Sequence, residues 1–162
     1  MKATRILAAV AALTFAGAAN LFAQNTATQV VNFAVNAINV ISVTGAPTLT
    51  ISAGVAGSAP TSVSSAGLTW SVTTNQSTAK ITGSLSAVMP TGLTLSANLT
   101  APAAATSAGS KALGTTAVDL VTGITKLNSA GLALQYTLDA TAAAGVVAST
   151  PVTVTYTITG GV

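Results

Sequence analysis

Apolar and polar residues alternate along most of this chain. Val152, Val154, Tyr156 and Ile158 interleave with Thr153, Thr155, Thr157 and Thr159. A period of two places the two sets on opposite faces of a β-sheet. The same pattern runs through Leu68, Trp70 and Val72, through Leu93, Leu95, Ala97 and Leu99, and through Leu132, Leu134, Tyr136 and Leu138. Earlier in the chain, Val31, Phe33, Val35 and Ala37 alternate with Asn32, Ala34 and Asn36. That parity resumes at Ile41 and Val43 after an interruption at Asn39.

Turn chemistry separates these runs. Met89-Pro90-Thr91-Gly92 predicts a type I turn, with Pro fixing φ at the second position and Gly at the fourth. It is expected to join a strand over Lys80–Val88 to one over Leu93–Leu99 as a hairpin. Gly45-Ala46-Pro47, Ser65-Ala66-Gly67 and Thr73-Thr74-Asn75-Gln76 predict further breaks. The Ser-Ala-Gly-Leu of residues 65–68 recurs at 129–132, each copy leading into a strand with an aromatic residue. A second echo, at 53–60 and 144–151, has a different offset, so the chain is not a tandem repeat. The Ala-rich stretches Ala101–Ala105 and Ala140–Ala148 are broken by Pro102 and Gly145 and read as loops.

About eight short strands at this spacing predict an all-β fold, an antiparallel β-sandwich of immunoglobulin-like type. The expectation covers residues 24–162 as one domain. It concerns architecture alone, because the Cys–Trp–Cys signature of antibody domains is missing. An outer-membrane barrel is the rival reading. Such barrels carry aromatic girdles at both interfaces, and beyond residue 23 only Phe33, Trp70, Tyr136 and Tyr156 are aromatic.

Residues 1–23 read differently. Lys2 and Arg5 form a positive start, Ile6 to Gly17 is apolar, and small residues follow, which is the order of a secretory signal peptide. Cleavage is expected after Ala23, with Ala18 and Ala19 as alternatives. The apolar stretch is shorter than the roughly 20 residues of a membrane span, so no membrane span is expected in the mature chain. The expected location is secreted: extracellular, cell surface or periplasm.

Removing this segment changes the charge picture. The chain has no Cys and no His, and its only carboxylates are Asp119 and Asp139. Beyond residue 23 the only cations are Lys80, Lys111 and Lys126. Three scattered lysines do not make the clustered basic surface that nucleic acid requires. Disulfide staples are excluded, so stability must come from core burial.

Little catalytic chemistry remains. Ser77-Thr78-Ala79-Lys80 matches S-x-x-K, but that motif works on a helix, where three-residue spacing sets Lys beside Ser. In an extended segment the two side chains point to opposite faces. Asp119 and Asp139 are formally a glycosidase-like pair, yet nothing in the sequence brings them together. Asp139 is expected to face solvent or cap a loop, and Asp119 to serve as an edge-strand charge or bond loop backbone. Zinc has no His or Cys to bind, and two distant Asp are too few for calcium. Trp70, in phase with Leu68 and Val72, reads as a core residue before it reads as a sugar-stacking platform. No catalytic, cofactor-binding or metal residue is therefore assigned, no cofactor is expected, and the protein is read as a non-enzyme.

The signal peptide, the stretch Ala37-Ile38-Asn39-Val40-Ile41-Ser42-Val43 and the closing strand Val152–Thr159 together resemble small secreted bacterial surface and fibre-type proteins with β-sandwich subunits. The resemblance implies a structural or surface protein whose partners are itself or other envelope proteins. Low charge favours association over repulsion. The leading reading is a fibre or matrix subunit that associates through strand edges. Thr28–Val43 is either a donor strand for a neighbouring subunit or an ordinary first strand. The alternative is an extracellular binding module for glycans or another surface. Ice is a special case, suggested by the T-x-T spacing of Thr153, Thr155, Thr157 and Thr159.

Overall fold

The computed structural model describes residues 25–161. The predicted signal segment, residues 1–23, lies outside them. The chain divides into two compact units, Met1–Ala34 and Val35–Val162. In the first, the described residues 25–34 form no strand. The second contains ten strands among the described residues: β1 (Asn39–Val43), β2 (Val63–Ser64), β3 (Leu68–Thr74), β4 (Ala79–Leu85), β5 (Leu93–Leu99), β6 (Thr106–Ser107), β7 (Lys111–Ala112), β8 (Val118–Ile124), β9 (Leu127–Ala140) and β10 (Val154–Thr159). The only helical element described is a single 3-10 turn at Ala142–Ala144, so the Ala-rich stretches are loops, as their Pro and Gly dictate.

The strands form two antiparallel sheets. The first runs β1-β3-β9-β5-β7, with β2 also on β9; the second runs β10-β4-β8-β6. Their inner faces meet in one hydrophobic cluster. Alternation produces this directly: Leu68, Trp70, Val72 and Thr74 of β3 face inward, as do Leu95, Ala97 and Leu99 of β5 and Ile81 and Leu85 of β4. Trp70, Ile81, Leu99, Leu120 and Ile124 are fully enclosed. Gly83 lies on the inner face of β4 because Leu120 fills the space a side chain would need. A Cβ there would meet Leu120 Cδ1 at 2.7 Å.

No two consecutive strands pair with each other, and this corrects the hairpin expectation. β4 belongs to the second sheet and β5 to the first, so the link between them crosses the core. Sheets pack about 10 Å apart, and the residues between Leu85 and Leu93 are enough to span that. The turn also shifts by one residue. Leu93 N–H donates to Pro90 O at 3.0 Å, which places Gly92 (φ 81°) at the position where a type II turn requires positive φ. The β3–β4 link at Asn75–Thr78 crosses between sheets in the same way.

Two further expectations shift. The strand predicted from Val31 is confined to β1, and Asn39 is its first residue, where it was expected to interrupt the run. Of the two Ser-Ala-Gly-Leu copies, residues 65–67 form a break before β3, but residues 129–131 lie inside β9. There the register with β3 slips between Trp70↔Leu132 and Val72↔Ser129. Gly131 at φ 68° allows the extra residue of a β-bulge.

Candidate functional site

The residues that sequence reasoning tested for chemistry are dispersed. Asp119 lies on β8, on the outer face of the second sheet, and Lys80 Nζ sits 2.9 Å from its carboxylate. Lys80 is thus engaged across the strands with Asp119, and Ser77 lies in the link before β4, outside any helix. β8 lies between β4 and β6 in the sheet, so Asp119 is one strand in from the edge, where an edge-strand charge or a bond to loop backbone was expected, and its partner is the Lys80 side chain. Asp139 lies within β9, opposite Thr94, where it was expected beyond the strand end. Its carboxylate accepts a hydrogen bond from the Ser62 hydroxyl. Inner residues of β9 are Leu134, Tyr136 and Leu138, so Asp139 points outward from the first sheet. The two carboxylates therefore face away from each other across the core, which no acid/base pair tolerates. Among the described residues no group of three or more His, Cys, Asp or Glu is gathered. Also among them, no helix is long and apolar enough to cross a membrane.

The aromatic residues divide sharply. Trp70 is completely buried, and its Nε1–H donates to Thr100 O at 3.1 Å. It offers no surface platform. Tyr136 is buried, and Tyr156 of the second sheet donates its hydroxyl to the Tyr136 hydroxyl of the first at 2.7 Å. Burial raises both tyrosine pKa values above the ordinary 10.0. For Tyr156 the shared hydrogen bond and the neighbouring hydroxyl push further in the same direction. Phe33 is the exception among these rings, with 92% of its surface exposed.

Two open depressions mark the unit of residues 35–162. One, of about 550 Å³, lies between the β4–β5 link and the β7–β8 link and is lined by Val88, Met89, Leu93 and Leu113 among others. The other, of about 460 Å³, lies at the end of β3 beside Asn75 and Lys126. Neither is lined by a carboxylate.

The sheet edges are the chemically distinctive feature. On one flank the sheets end in β7 and β6, two residues each, with Lys111 on β7. Short edges and lysines are the usual protection against stray pairing. The opposite flank carries β1 and β10, five and six residues long and without a charged side chain. The edges approach each other where Asn39 Nδ2 donates to Gly160 O at 3.5 Å, and no β-pairing joins them among the described residues.

Hydrogen-bond phase shows which backbone groups these edges present. Thr44 N–H donates to Thr69 O, so residues of even number on β1 face β3, and Asn39, Ile41 and Val43 turn their backbone groups outward. Ser86 N–H donates to Thr153 O, so Val154, Tyr156 and Ile158 turn theirs to the free side of β10. Their side chains point toward the core yet remain half-buried. The sequence signal for this flank is the pair of uncharged β-rich runs, but pairing partners are needed to know that they form edges. Comparison with known protein families, with curated proteins and with solved structures finds no match for this chain.

Proposed function

We propose that this chain is an exported, non-enzymatic structural or surface protein that associates with copies of itself through sheet edges. The carrying observation is the asymmetry between flanks. One is blunted by two-residue strands and Lys111; the other leaves two uncharged, full-length edges. An unprotected edge is a template for another strand, and in an extracellular subunit that template serves assembly. The signal-like residues 1–23 support export, to a cell surface, a periplasm or the medium. An immunoglobulin-like arrangement is supported by two antiparallel sheets and chain length. It is opposed by a strand order without a single hairpin.

The test is size-exclusion chromatography with light scattering on the protein from Gln24, followed by negative-stain microscopy of large fractions. A ladder of oligomers or filaments is the expected result. A concentration-independent monomer overturns the proposal.

A binding module is the second reading, and one observation favours it. Thr153, Thr155, Thr157 and Thr159 are all exposed, and Thr155 and Thr157 lie opposite Ser84 and Thr82 of β4. This is a two-strand hydroxyl array suited to an ordered polar surface such as ice. Thermal hysteresis and recrystallisation assays test it, and inactivity in both removes it.

A further inference from the structure

The uncharged flank and the exposed apolar run near residue 33 fit each other. Val30, Val31, Phe33 and Val35 expose 86, 70, 92 and 80% of their surface. Four large apolar side chains within six residues, none in a strand, form the kind of patch that marks an interaction site. Extended, the run puts Val31, Phe33 and Val35 on one side and Asn32, Ala34 and Asn36 on the other. It contains no Pro and no charge, so every residue can donate to a ladder. Its downstream limit is a clamp. Asn75 Nδ2 donates to Asn36 O at 2.7 Å, and Ile38 N–H donates to Asn75 Oδ1 at 2.8 Å. Residues 29–35 are the alternating run upstream of that clamp.

The edge of β10 has matching requirements. Its outward backbone groups belong to Val154, Tyr156 and Ile158, whose side chains need further cover on the core side. The β1 edge asks for less, since only Ile41 is half-buried there while Asn39 and Val43 are exposed. Seven extended residues span about 23 Å and six span about 20 Å, so residues 29–35 cover β10 from end to end.

We propose that residues 29–35 of one copy add as an antiparallel strand to the β10 edge of a second copy. Val31, Phe33 and Val35 then lie opposite Ile158, Tyr156 and Val154. In an antiparallel pair, opposite residues share a face, so this register turns all three apolar side chains toward the core. A slip of one residue would send Asn32, Ala34 and Asn36 there instead, and the pattern forbids it. The inference rests on the self-association reading and names its two surfaces.

The chain has no Cys, so disulfide trapping is clean. Ala34 and Thr155 fall opposite each other in a non-hydrogen-bonded pair on the outer face, at a spacing a disulfide can bridge. Variants A34C and T155C, each made on the chain from Gln24, are mixed under mild oxidation. Docking raises the local thiol concentration, so the mixed disulfide is expected at about tenfold or more over an A34C and T94C control mixture. F33D is expected to lose association while keeping the Trp70 emission of the folded protein. Association that survives in F33D, with no A34C–T155C bond, overturns the assignment and leaves edge-mediated assembly standing. A wild-type chain that never associates overturns both. A double variant A34C/T155C that closes an intrachain disulfide as a monomer also overturns the proposal, because the segment then completes its own sheet.

Discussion

Alkaline pH should loosen this protein through two side chains. Tyr136 and Tyr156 bridge the sheets by a hydroxyl–hydroxyl bond of 2.7 Å, and burial raises the pKa of each above the ordinary 10.0. The fold therefore favours the neutral phenols. Their contribution is fully present below pH 10 and is lost as pH rises beyond it, because the unfolded chain ionises first. For one phenol that stayed wholly neutral in the fold, the loss at pH 11 is RT ln 11, about 1.4 kcal/mol. Tyr156 retains some contact with solvent, and screening brings this to about 0.7–1 kcal/mol for that ring; Tyr136 is shifted in the same direction by burial, which its hydrogen bond to Tyr156 opposes. Tyr156 should remove about 0.7–1 kcal/mol between pH 8 and pH 11 by that linkage, with a loss of the same sign from Tyr136, against a typical stability of about 5–15 kcal/mol. Urea unfolding at both pH values, for wild type and Y156F, measures it. Y156F should be weaker at neutral pH by about 0.5–1.5 kcal/mol, the worth of one hydrogen bond, and should lose less than wild type at high pH. Equal losses in the two proteins would refute the role of Tyr156. A wild type with no loss would show that the phenols ionise freely within the fold.

The other predictions concern the core and the surface ion pair. Acrylamide should quench Trp70 fluorescence poorly in the folded protein and efficiently in urea, since the ring is completely buried; equal quenching would contradict that burial. G83A should destabilise by about 1–3 kcal/mol by overpacking, because its Cβ would meet Leu120 Cδ1 at 2.7 Å; a neutral result in chemical denaturation would mean that Leu120 yields. S65A should cost about 1–3 kcal/mol, because the buried Ser65 Oγ accepts the Tyr136 N–H at 2.8 Å; the measurement is a denaturation midpoint. K80A should change stability by less than about 1 kcal/mol, as exposed ion pairs do; a larger loss would give the Lys80–Asp119 contact a structural weight that its exposure argues against.

Much of the inner face was readable from period two alone. Leu68, Trp70 and Val72, and Leu95, Ala97 and Leu99, are all buried on the predicted side. Connectivity was not readable. A hairpin and a sheet-crossing link both begin and end with apolar residues facing the same core, so the alternation on either side of Pro90 fits both. Local turn chemistry could not decide between them, because Gly92 supplies positive φ in either case. What decides is pairing between distant strands, such as β4 with β8 and β5 with β9, and a local pattern holds no record of distance along the chain. The position of Asp139 illustrates the same limit. It was expected to face solvent or cap a loop after the strand, but β9 runs on to Ala140 because Leu93 and Thr94 pair with its last residues.

The candidate site was legible for a different reason. Without a ligand motif or a clustered charge, the chain's most telling chemistry is where charge is missing. Lys111 falls on the flank of two-residue strands, while the residues of β1 and β10 are uncharged throughout. Composition alone treats these stretches alike, since nearly every segment of this chain is uncharged. Topology separates them: the same lack of charge is harmless in β3, paired on both sides, and consequential in β10, paired on one. An edge strand is normally selected against when it is long, uncharged and β-rich. Such an edge on one flank, in a chain that also carries an exposed alternating run of matching length, is therefore what the proposal of sheet completion by another copy rests on.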